Sequence, residues 1–205
     1  KGIFAKIINA PTTVTATPTY ANAGAIEIKS ASALSRGVFP IVAWDPNKEK
    51  LLFIYQAKTG NGDPGTNDRH YALLAYFNAG KTNIIINNAV YLLTTAHPET
   101  TSMFQLVYDS GTQSFVYATK AAEGIVRGIF LTPSGTGNNT LTIPSTVGNC
   151  FNTNSSDFGE RSSHTLIDIG TGGISNGASA LFSIYTFTAV GYSRTLIIPT
   201  TAIAT

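Results

Sequence analysis

Charge is what this sequence has least of. Only 12% of its 205 residues are Asp, Glu, Lys or Arg, about half the share usual in a soluble globular domain. Thirteen basic and eleven acidic residues leave a formal net charge of +2. No basic run forms, which excludes the electrostatic footprint of a nucleic-acid-binding surface. Cysteine is almost absent as well. Cys150 alone excludes an intrachain disulfide framework and a cysteine-based zinc site, and it leaves the redox compartment open. No run approaches about 18 consecutive apolar residues, so no membrane span is expected. No signal-type apolar segment or initiator Met opens the chain, as expected for a processed or trimmed N terminus. No window carries a helical i, i+3, i+4, i+7 apolar face of useful length.

What is present points to a β protein. The 43% hydrophobic content excludes disorder, and a chain of this length buries enough surface for one compact domain without staples. Its surface is kept soluble by Thr, Ser, Asn and Gly. That suits packing of many copies, because few charges need desolvating at each contact. Residues 1–36 read as an extended N-terminal arm. Ile3, Phe4, Ile7 and Ile8 open it, two prolines and five threonines fill 10–19, and Ala25-Ile26-Glu27-Ile28-Lys29 alternates like a strand with one dry face. From 37 onward, apolar runs alternate with Gly, Asn, Asp and Pro clusters. Strands are expected over 38–44, 50–56, 71–77, 84–93, 103–108, 114–119, 125–131, 140–143, 164–169, 179–187 and 195–198.

Two segments repeat. Ile41-Val42-Ala43-Trp44-Asp45, a turn, and Leu51-Leu52-Phe53-Ile54-Tyr55 are echoed by Gln105-Leu106-Val107-Tyr108-Asp109, a turn, and Phe115-Val116-Tyr117. The two aromatic-Asp pairs stand 64 residues apart. Each Asp enters a tight turn, where its carboxylate can accept backbone N–H bonds two residues on. A third and a fourth strand follow each hairpin, the content of a propeller blade. A weaker third copy starts at Leu166-Ile167-Asp168 and runs through Leu181-Phe182-Ser183-Ile184-Tyr185 to Thr195-Leu196-Ile197-Ile198. The expected fold is therefore all-β, with antiparallel sheets in propeller-like or sandwich units built from two to three four-stranded repeats. The arm (1–36) precedes a β-repeat domain (37–205) with units near 38–97, 98–150 and 160–205.

The aromatic-Asp, turn, Tyr-ended strand unit resembles the repeats of bacteriophage tail-fibre and virion-surface proteins. The likeness covers 38 to about 143. Where many such repeats place Arg-Asp after the second strand, this chain has Tyr55-Gln56 and Tyr117-Ala118. The resemblance implies a non-enzymatic protein on the virion surface, a homo-oligomer and often a trimer, contacting other virion proteins and host glycans.

The most polar segment, 61–70, carries Asp63, Asp68, Arg69 and His70 and is flanked by Trp44, Tyr55 and Tyr71. Rings that stack on sugar faces, next to groups that bond hydroxyls, make a candidate glycan contact of Trp44, Tyr55, Asp63, Asp68, Arg69, Tyr71 and Tyr76. A solvated hairpin loop is the plainer reading. Calcium is not expected, since the spacing does not fit an EF-hand. Arg69, Arg127 and Arg194 fall one per repeat, as in the arginine cluster of sialidases, but three repeats are too few for that ring and sheet-edge Arg is the simpler account. Asp157, Glu160 and Asp168 could supply a glycosidase pair only if two of them faced one another across a sugar. His70, His97 and His164 lack partners at metal spacing and read as surface or turn residues. The segments Gly135-Thr136-Gly137 and Gly170-Thr171-Gly172-Gly173 read as turns, and Cys150 as a small buried hydrophobe or free thiol. The sequons at Asn138 and Asn154 lie in expected loops. No cofactor, metal or nucleic acid is expected. A subunit of a prokaryotic extracellular filament, joined by strand addition through 3–8, is the alternative, and a glycan-degrading enzyme fragment is a third.

Overall fold

The computed structural model describes residues 3–9, 13, 15, 17–21, 24–29, 37–58, 68–93, 104–122, 125–144, 148–152, 163–168, 180–186 and 193–199. Within them the chain is all β, with one 3-10 turn at Thr136–Asn138 and no α-helix. No helix among the described residues is long and apolar enough to cross a membrane. Asp63, His97, Asp157, Glu160, Asn154 and 170–173 lie outside the described residues.

Three antiparallel meanders follow one another. The first sheet runs β5 (Gly37–Asp45), β6 (Lys50–Lys58), β7 (Asp68–Phe77) and β8 (Ile84–Leu92) in spatial order. The second runs β9 (Phe104–Asp109), β10 (Ser114–Ala122), β11 (Ile125–Ser134) and β12 (Thr140–Thr142), with β13 (Gly148–Asn152) also on β11. The third holds β14 (Ser163–Asp168), β15 (Ala180–Thr186) and β16 (Ser193–Pro199). Every strand expected from residue 37 on has its counterpart. In the opening segment the chain doubles back: β1 (Ile3–Ala5) pairs with β4 (Ile26–Lys29), and β2 (Ile8–Asn9) pairs with β3 (Thr19–Tyr20).

The unbroken apolar run Leu51-Leu52-Phe53-Ile54-Tyr55 explains the layering, because a strand apolar on both sides must be covered on both sides. Leu52 and Ile54 join Ala72 and Leu74 against Phe104, Phe115, Tyr117, Ile129, Leu131 and Leu141 of the second sheet. One residue out of phase, Leu51, Phe53 and Tyr55 join Leu73, Ala75 and Ile84 against Ile3 and Ile28 of the opening strands. The first sheet is thus the middle of three layers. Its outer strands leave Val42 and Ile85 exposed.

Sheets stacked face to face lie about 10 Å apart. Here the Cα atoms of β5 and β9, and of β9 and β14, come within 8 Å. The sheets converge on their first strands, as neighbouring propeller blades do.

The repeat seen in sequence is a repeat in register. Asp45 pairs with Lys50 and Asp109 with Ser114, and the last turn residues, Glu49 and Gln113, have φ of 52° and 53°. Asp45 Oδ1 accepts the N–H groups of Asn47 at 2.9 Å and Lys48 at 3.0 Å. Asp109 Oδ2 accepts from the Thr112 N–H at 2.9 Å and from the Thr112 hydroxyl, one residue later than expected. The aromatic before each Asp points to the opposite face, by the strand's period of two. Trp44 packs in the core shared with the opening strands and Tyr108 in the core shared with the first sheet, so each aromatic faces the preceding layer.

Three local readings are revised. Strand β7 begins at Asp68, not 71, because 68–70 complete a ladder with 56–58. Strand β11 continues through Pro133, which is tolerated because Pro133 pairs only with Leu141 of β12 and no strand needs its missing N–H. Strand β13, where no strand is expected from the sequence, forms because β11 supplies the pairing.

Candidate functional site at the turn end of the first two sheets

The tight turns of the first two sheets cluster at one pole. The turns 46–49 and 78–83 close one end of the first sheet, and 110–113 and 135–139 close the matching end of the second. Cross-sheet bonds hold these ends together. Asn47 Nδ2 donates to the Tyr108 hydroxyl at 2.9 Å, Lys48 Nζ to the Pro133 carbonyl at 3.0 Å, and Lys50 Nζ to Asn139 Oδ1 at 2.9 Å. Asn87 Nδ2 donates to the Asn139 carbonyl. The Tyr108 hydroxyl is pushed up to about 12 by burial and then by the neighbouring Asp45 carboxylate. It therefore stays protonated in this network.

At this pole a cavity of about 220 Å³ is lined by Trp44, Lys48, Glu49, Lys50, Tyr76, Phe77, Asn78, Ala79 and Lys81. Register makes it. Trp44 pairs with Leu51 and Leu51 with Ala75, which brings the end of β5 beside the end of β7. The Trp44 and Phe77 rings meet at 5.4 Å with a 55° tilt. Lys50 is 7% exposed, its ammonium lies 4.5 Å from the Tyr76 ring centroid, and burial lowers its pKa from the ordinary lysine value. Asn78 fixes the far rim, where its Oδ1 accepts from the N–H groups of Thr82 at 2.8 Å and Asn83 at 3.0 Å.

Of the seven residues expected at a glycan contact, the structure brings Trp44 and Tyr76 together here. Tyr55 and Tyr71 do not join them. Their rings stack at 5.8 Å, five residues along β7 from Tyr76 at the cavity, roughly 17 Å at strand rise. Tyr55 is 1% exposed, a core residue with no open ring face, and burial, then Tyr71, pushes its hydroxyl up to about 12. Asp68 and Arg69 stand at the opposite end of β7, paired with Lys58 and Ala57. Asp63 lies outside the described residues. Sequence reasoning missed Lys48, Lys50, Asn78 and Lys81. The signal was two turn segments of like chemistry, 45–50 and 76–83, but only strand register sets them side by side.

The expectation of His70 as a surface residue is overturned. His70 is 6% exposed, its Nδ1 shares a hydrogen bond with the Tyr117 hydroxyl, and its ring lies 4.4 Å from that of Phe104. It is in phase with Ala72 and Leu74, which places it between the sheets. Arg127, Arg194, Asp168 and His164 occupy strand positions on β11, β16, β14 and β14. No group of three or more His, Cys, Asp or Glu able to hold a metal occurs among the described residues.

Glu49 and Lys81 both rim the cavity at φ of 52°, where an L side chain is strained and Gly or Asn is usual. Glu49→Gly is expected to raise the unfolding free energy by up to about 1 kcal/mol, read as a shift of the urea midpoint at constant slope.

Comparison with protein-family models, with curated proteins and with solved structures finds no match.

Proposed function

We propose that this chain is a non-enzymatic structural protein of the outside of a virus particle, of the phage tail-fibre or surface-decoration kind, that presents the turns of one pole to a host glycan. The observation that carries the reading is the series of antiparallel sheets with four tight turns at one pole, two of which, 46–49 and 78–83, wall an aromatic-lined cavity. A scaffold of this kind keeps the loops in place while their side chains vary, which is how binding surfaces are commonly built. Low charge supports it, because neighbouring copies can meet with little desolvation cost. Weak contacts then gain through multiplicity, since linked copies raise avidity by roughly 10²–10⁴.

The filament alternative needs a free donor strand at 3–8. Ile3–Ala5 is already paired with β4, and Ile3 is 4% exposed in the chain's own core. That observation favours the particle-surface reading.

Native molar mass by light scattering behind a sizing column, on untagged protein at several concentrations, tests it. A concentration-independent homotrimer is the expected result. A stable monomer overturns it, as do polymers that vanish when residues 1–20 are removed.

A further inference from the structure

We infer that the turn-end cavity binds one pyranose ring bearing an anionic group, a carboxylate or a sulfate, with its apolar face on Trp44 and its anion toward the exposed Lys81, in the field of Lys48 and Lys50. The inference rests on the host-contact reading above and supplies its ligand class.

Charge distribution is the first argument. The chain has eight lysines in 205 residues, and three of them line this one cavity, with Glu49 the sole carboxylate in its wall. The partners of the two inner amines are neutral: the Pro133 carbonyl for Lys48, and the Asn139 amide oxygen and the Tyr76 ring for Lys50. Lys50 is therefore a buried cation satisfied by dipoles, which costs desolvation that a hydrophobic residue would avoid.

Shape is the second argument. Pockets for drug-sized ligands run from about 300 Å³ upward. A cavity of about 220 Å³ takes one ring and leaves the remainder of a glycan outside. A half-buried indole beside Phe77 gives that ring an apolar platform, which a bare inorganic anion would not use.

Position is the third argument. Lys81 is an exposed residue at the rim, where a long cationic side chain can reach a ligand from the solvent side.

The test is calorimetric titration of the full chain with three oligosaccharides of matched length: uronate-bearing, sulfated and neutral. At least one acidic saccharide is expected to bind at least about tenfold more tightly than the neutral one, with affinity falling as salt is raised. Which acidic saccharide binds identifies the anion. Lys81→Glu is expected to weaken binding about tenfold, while Lys6→Glu, on the opening strands beside Tyr20, leaves it unchanged. Lys81 is solvent-exposed, so an unchanged thermal midpoint checks that the variant folds. Equal affinity for the neutral saccharide overturns the inference. So does indifference to Lys81→Glu, or inorganic sulfate binding as tightly as the sugar. A homotrimer that binds none of the three overturns this inference alone. Turnover of a saccharide overturns the non-enzymatic reading beneath it.

Discussion

Acidification from about pH 7 to about pH 4 is expected to lower the unfolding free energy by about 3 kcal/mol through His70 alone. The imidazole is buried between the first two sheets, and that burial pushes its pKa down from 6.5 to about 4. An unfolded chain takes up the proton near pH 6.5, whereas the folded chain refuses it until about pH 4. Between those values the unfolded state binds more protons, so stability rises with pH there. The contribution is complete above about pH 6.5, is lost progressively as pH falls, and changes no further below about pH 4. Urea midpoints at pH values across this window measure it. In His70→Phe the new ring meets Phe104 in place of imidazole, and the window should flatten. Baseline stability should also drop by about 0.5–1.5 kcal/mol, because the buried hydrogen bond between His70 and Tyr117 is lost. His70→Phe combined with Tyr117→Phe should keep the flat profile. A His70→Phe profile as steep as the parent's would assign the acid sensitivity to another group.

His70 also shows what was legible in the sequence. The strand pattern is readable because it is local: alternation and turn chemistry place every strand after residue 37 except β13, and the repeat of Trp44-Asp45 in Tyr108-Asp109. Burial of polar groups is not, because it depends on which sheet lies opposite. His70, in phase with Ala72 and Leu74, reads in sequence with the polar loop that precedes it. Tyr55 reads as a platform because it flanks that polar segment and rings stack on sugar faces, yet its strand is covered on both faces. The cavity follows the same logic. Trp44 and Tyr76 were identified one by one from their residue type. The lysines that share the cavity came into view only through the β5–β6–β7 register. What periodicity cannot encode is the partner across a ladder or across a layer.

The layering itself predicts a pattern of couplings. Phe115 is fully buried, meets the Tyr108 ring edge-on at 5.7 Å and 73°, and belongs to the core between the first two sheets. Phe115→Ala should cost about 3–5 kcal/mol, the range for a buried Phe whose cavity does not collapse. Against a total stability of about 5–15 kcal/mol, that is enough to leave a substantial unfolded fraction near the lower limit. Phe4→Ala, at a position 57% exposed, should change stability by less than about 0.5 kcal/mol. The sharper measurement combines substitutions on β6. Leu52 and Phe53 are adjacent in sequence, but Leu52 is in the core with Phe115 and Phe53 is in the core with Ile3 and Ile28. Phe115→Ala should therefore couple to Leu52→Ala by about 0.5–3 kcal/mol and add to Phe53→Ala within about 0.5 kcal/mol. Equal coupling to both would mean that the two faces of the first sheet respond as a single core. The opening strands, with Ile3 and Ile28, would then be cooperative with the whole fold. The expected asymmetry instead makes them a separate layer that can loosen while the paired sheets stay intact.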